Sequence, residues 1–154
     1  MRSKTMWLIA AGLAGLFVLV LSAQNGGGSQ KHKPVIITRL YTGPDGLTHS
    51  EEVEAKFLPG GTNDVYKMGA ITGAELHRAA PGRVSDWHTA PRRQYVITLS
   101  GQGELEVAGG KKIAVGPGHI ELVEDTTGKG HITRVTGTEE RVTLQIPFQD
   151  QSHR

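Results

Sequence analysis

The sequence predicts an all-β domain, a β-sandwich or β-barrel, behind an N-terminal apolar leader helix. Three observations predict it. Short runs alternate apolar and polar residues, glycine-rich turn signals separate them, and the one helix-length apolar run sits at the N-terminus.

The chain has 154 residues, the size of a single domain. Arg2 and Lys4 precede an uncharged run over residues 6–21, and Ser22-Ala23-Gln24-Asn25 follows it. Basic, apolar and small polar regions in that order are the layout of a secretory signal peptide. The run of 16 residues is shorter than the roughly 20 that an untilted membrane-spanning helix needs. Cleavage after Ala23 and export to the periplasm or beyond are therefore expected. Leu21 is an imperfect residue for a cleavage site, so the alternative is an anchor left in the membrane. With no cysteine after the run, a lipid-anchored form is not expected.

Charge excludes one class of partner. The chain carries 17 Lys and Arg against 15 Asp and Glu, and Arg2 and Lys4 belong to the leader, so the remainder is balanced. No dense Lys/Arg patch is present, and nucleic-acid binding is not expected. Without cysteine, any metal site must use His, carboxylate or amide ligands.

Residues 24–33 (QNGGGSQKHK) read as a flexible linker, 34–148 as the barrel and 149–154 as a C-terminal tail. Alternation in 52–57, 103–107 and 141–146 places Val53, Ala55, Phe57, Leu105, Val107, Val142, Leu144 and Ile146 on inward faces. Turn signals at Pro59-Gly60-Gly61, Pro81-Gly82, Ser100-Gly101, Gly109-Gly110, Gly116-Pro117-Gly118 and Thr136-Gly137 separate the strands. Their spacing favours a sandwich or barrel over alternating strands and helices. Residues 61–73 read as a long loop or an irregular edge strand.

Chemistry-bearing residues gather in 82–101, GRVSDWHTAPRRQYVITLSG. This segment resembles the first sequence motif of the cupin superfamily, with Gly82, His88, Gln94 and Gly101 on the required positions. Ala90 stands where the motif has a second His, and Gln94 where it has Glu. Gly118 and His131 match the second motif with two extra residues between them, while Glu124, Thr126 and Val135 replace its Pro, Gly and Asn. The resemblance is to small single-domain, RmlC-like cupins and covers residues 34–148. It implies a jelly-roll β-barrel (a double-stranded β-helix), a homodimer formed through the N-terminal strands, and a small-molecule ligand or substrate inside the barrel. It also implies one divalent transition metal (Fe, Mn, Ni, Cu or Zn).

The residues themselves support part of this. His88 ends one extended run, Ala90-Pro91-Arg92 turns the chain, and Gln94 opens the next strand, so His88 and Gln94 can share a sheet face. His131 on a later strand can join them, and converging imidazoles suit a transition metal. An amide at position 94 brings no negative charge, which makes the set weaker than one with Glu. His88, His131 and Gln94 are the candidate metal ligands; Arg92, Arg93, Tyr95, Trp87 and Glu124 are candidate substrate contacts. At most one of Arg92 and Arg93 is expected to face inward. Two readings stay open: a metal-dependent oxygenase, isomerase or lyase acting on a small polar molecule, or a non-catalytic binding barrel with a degenerate metal site.

Overall fold

A computed structural model describes residues 32–152. The leader and most of the linker lie outside the described residues. Twelve strands form two main sheets and one small hairpin. They are β1 (Ile36–Thr42), β2 (Thr48–Glu54), β3 (Leu58–Pro59), β4 (Asp64–Val65), β5 (Glu75–Ala79), β6 (Val84–His88), β7 (Gln94–Ser100), β8 (Gln102–Glu106), β9 (Lys112–Val115), β10 (Ile120–Val123), β11 (His131–Thr136) and β12 (Arg141–Pro147).

The large sheet runs β2-β1-β10-β7-β12-β5, and the four-stranded sheet runs β6-β11-β8-β9. The eight consecutive strands β5 to β12 thus distribute as 5-12-7-10 and 6-11-8-9. That interleaving of two Greek keys is the jelly roll. β1 adds to β10 in parallel and β2 closes that edge antiparallel to β1.

Between the sheets, Leu40, Val96 and Val123 from the large sheet pack with Leu105, Val107 and Val115 from the small one, and Ala90 completes the cluster. This core fills part of the space between the sheets. The rest is an open lumen, lined mostly by polar side chains with Ala90, Val96, Val123 and Val135 among them.

The expected inward phase holds for Leu105 and Val107, buried between the sheets. Ala55 is buried on the outer face of the large sheet instead, and the phase fails for β12. There the inward residues are Arg141 and Thr143, at 6% and 5% exposure, followed by Gln145 at the cavity wall. Val142, Leu144 and Ile146 occupy the opposite face. Val53 and Phe57 are likewise exposed. The physical reason is that the large sheet is apolar on its outer face as well, and that face is partly covered. Segment 55–72 crosses its outer side, where Tyr66, Met68 and Phe148 cover Ile37, Tyr95, Ile120, Leu122 and Ile146. On that outer face the register aligns Val53, Ile37, Ile120, Ile97, Leu144 and Leu76 in one aliphatic row across all the strands. Within 61–73 the chain forms β4 and a single bridge between Ile71 and Phe148.

Candidate functional site

The lumen is a cavity of about 280 Å³ lined from both sheets. His88 on β6 and His131 on β11 are direct cross-strand partners, with ring centroids 4.6 Å apart. Gly130 permits this approach. Its φ is +76°, and a Cβ there would run into the carbonyl oxygen of His88. A residue with a side chain would be strained and would push the two strands apart.

Both imidazoles are anchored from behind. His88 Nδ1 lies 2.7 Å from the main-chain carbonyl oxygen of Asp86. A carbonyl only accepts, so Nδ1 carries the proton and Nε2 presents its lone pair. His131 Nδ1 lies 2.6 Å from Asp125 Oδ2, which also accepts the Thr48 hydroxyl at 2.9 Å. Asp125 is fully buried, and its Oδ1 has no hydrogen-bond partner among the described residues. An accepting oxygen here fixes His131 in the same tautomer as His88. Neither Nε2 has a hydrogen-bond partner among the described residues, and both rings line the cavity.

Gln94 stands in the same wall at 4% exposure. Its Oε1 accepts a hydrogen bond from Arg92 Nε at 3.0 Å, and Arg92 also donates to Glu75 at 2.6 Å. Arg92 therefore sits behind Gln94 and is not a cavity-lining residue. Glu75 in turn meets His77 at 2.9 Å, and hydrogen bonds from Arg92 and His77 hold its carboxyl below the ordinary range.

Deeper in the lumen, Glu121 on β10 pairs with Arg141 Nη2 at 2.7 Å, and Arg141 also donates to the Thr98 hydroxyl at 2.8 Å. Burial pushes the Glu121 carboxyl above its ordinary value, against the pull of Arg141. Sequence reasoning missed this pair. The available signals were a lone charge inside the apolar run Ile120-Glu121-Leu122-Val123 and the polar phase of β12.

The remaining candidates lie elsewhere. Arg93 and Glu124 form a buried ion pair on the other side of the sheet, where Arg39 also donates to Glu124 at 2.6 Å. Burial works to raise Glu124, but the hydrogen bonds from Arg93 and Arg39 outweigh it and hold the carboxyl low. Arg93 Nη1 also donates to the carbonyls of Asp150 and Ser152, so the pair fastens the C-terminal tail. These residues line a second hollow with Tyr41 and Thr127, separate from the lumen. Tyr95 packs on Phe148 at 5.1 Å, on the outer face. Trp87 lies beneath Lys129, whose Nζ is 3.8 Å from the ring centroid.

The metal ligand set can be tested on its donors. Two imidazoles meeting one ion through Nε2 at about 2.1 Å would have centroids roughly 4.5–5.3 Å apart, from a right-angle to a tetrahedral arrangement. The observed spacing fits that, and the anchored Nδ1 atoms supply the outer-shell support that metal-binding histidines normally have. Gln94 adds an amide oxygen already engaged by a cation. Among the described residues no group of three or more His, Asp or Glu converges. The chain thus provides two good donors and one weak one.

No family model matches this chain, and no curated protein does. Solved structures give low-similarity neighbours. A conserved protein of unknown function from Streptococcus pyogenes, SPY1581, superposes with TM-score 0.40 at 14% identity, covering 55% of this chain and 71% of that one. Protein NMB1881 from Neisseria meningitidis gives TM-score 0.37 at 18% identity, over 51% and 76%. An RmlC-like cupin protein from Desulfovibrio desulfuricans gives 0.37 at 18%, over 54% and 76%. The functional reading rests on this chain's own residues.

Proposed function

We propose that the chain is a cupin-type barrel that binds a small polar molecule in its lumen beside a divalent transition metal held by His88 and His131. The observation that supports this is the anchoring of both rings through Nδ1, which leaves two Nε2 lone pairs at one wall of a polar cavity. Gln94 is the third donor or the immediate neighbour. A metal there would supply Lewis-acid or redox chemistry, as an oxygenase, isomerase or lyase requires. Asp125 keeps the proton on His131 Nδ1, and the Asp86 carbonyl does the same for His88. Among the described residues, Glu121, held by Arg141, is the one carboxylate lining the lumen.

One observation favours a second reading. The Gln94 oxygen accepts from Arg92, and Ala90 replaces a further imidazole, so a metal-free ligand-binding barrel uses the same walls. Elemental analysis of the purified chain, beside His88→Ala and His131→Ala, separates the two. Near one transition metal per chain, lost in both variants, supports the metal-dependent reading. A folded wild type that takes up none after soaking with each ion supports the binding barrel.

The same reading includes export through residues 1–23 and pairing with a second copy through the N-terminal strands. β2 forms the open edge of the large sheet, where such pairing would cover unpaired backbone groups. Gel filtration at monomer mass would count against it.

A further inference from the structure

The two ends of the lumen differ in charge. At one end stand His88, His131 and Gln94. Gln94 and Thr98 are four residues apart on β7, so Thr98 and the Arg141 bound to it lie about 13 Å along the barrel. His131 and Val135 are equally separated on β11, and the Val135 amide donates to the Arg83 carbonyl at 2.8 Å. Arg83 therefore stands at the Arg141 end.

Arg141 is 6% exposed, and its Nη1 has no partner among the described residues. Glu121 offsets the charge of Arg141, and Glu140 lies 3.6 Å from Arg78 at the rim. Arg83 has no acidic partner among the described residues, yet it lines the cavity. One guanidinium charge is thus left uncompensated at that end. Arginine forks match the planar geometry of carboxylates.

We infer that the lumen takes a small organic carboxylate, its anionic group paired by Arg83 with the free edge of Arg141 behind it. The ligand's other polar end meets His88, His131 and Gln94. This rests on the reading of the lumen as a ligand site, and it names the ligand's class. A cavity of 280 Å³ lies just below the range of about 300–1,000 Å³ typical of drug-sized sites, so the ligand is a small metabolite. Neither Arg92 nor Arg93 takes part, because Glu75 and Glu124 occupy them.

The test is calorimetric titration of the intact chain with adipate, 6-hydroxyhexanoate and the neutral 6-hydroxyhexanamide, each with metal content measured alongside. The expected result is binding of the two carboxylates and not of the amide. Arg83→Gln should weaken binding by about tenfold or more, Arg83→Lys should restore part of it, and metal content should be unchanged. Arg83 lies on the surface, so its variants are expected to fold. Equal binding of acid and amide, or no effect of Arg83→Gln, overturns the inference. Metal uptake with no carboxylate binding overturns it while leaving the metal reading in place. Carboxylate binding that depends on Arg83 in a metal-free chain upholds it while the metal reading fails. Binding of neither metal nor carboxylate overturns both.

Discussion

His131 Nδ1 lies 2.6 Å from a carboxylate oxygen of Asp125, a residue with no solvent exposure at all. Asp125 sits in the loop after β10, next to Glu124, and the two carboxylates turn opposite ways. One holds the lumen imidazole; the other fastens Arg93 and Arg39 outside. The ends of β7 and β10 are thereby gripped from both sides of the sheet.

Asp125→Asn should loosen His131. The amide oxygen can still accept from Nδ1, but it carries no charge and its NH2 is left at the buried Oδ1 position without an acceptor, so the ring is held less firmly. Outer-shell losses of this kind lower metal affinity by about 10–100-fold. Competition against a chromophoric chelator would measure the change, and unchanged affinity would show that Asp125 does not position the ring.

Gln94→Glu should act in the opposite direction. A carboxylate adds negative charge beside the two imidazoles, while Arg92 remains near enough to pair with it. Tighter metal binding, by about tenfold or more, is expected in the same competition assay. An unaltered constant would place position 94 outside the coordination sphere.

Gly130→Ala should destabilise the fold by about 2 kcal/mol or more, through left-handed strain and collision with the His88 carbonyl. Chemical denaturation measures this. Because the collision lies between the two histidines, metal affinity should fall as well.

The Arg93–Glu124 pair should make the fold acid-sensitive. Glu124 titrates lower when folded than when unfolded, so its contribution is present above the ordinary Glu range and is lost as pH falls towards the depressed value. Arg93→Met should cost about 3–5 kcal/mol near neutral pH, as expected when one partner of a buried pair is removed, and should weaken that acid dependence, leaving the part that Arg39 supports. Denaturation midpoints across the acid range would show both effects.

The strand-and-turn pattern was legible because glycine marks it. Gly101, Gly118 and Gly137 all adopt positive φ at the expected turns. His88, Gln94 and His131 were legible as one cluster, since spacing on a hairpin fixes which side chains share a face. The inward phase of β12 was not legible. Alternation shows two faces, and apolar residues inward is the default choice, but here the apolar face lies under segment 55–72 and the polar one lines the lumen. Arg83, Glu121 and Arg141 were hidden for the same reason: a charge on a strand ordinarily means solvent. From sequence, Arg93 and Glu124 are candidate substrate contacts, since both flank the proposed ligand positions. Each instead found the other across 31 residues of sequence, on the far side of the sheet.

The most direct measurement is a cobalt(II) titration of the intact chain followed by visible absorption, with wild type beside the His88→Ala, His131→Ala double variant. A band that saturates at one ion per chain in the wild type and is absent from the variant is the expected result. No saturable band, or the same band in both proteins, would contradict a metal site built on these two histidines.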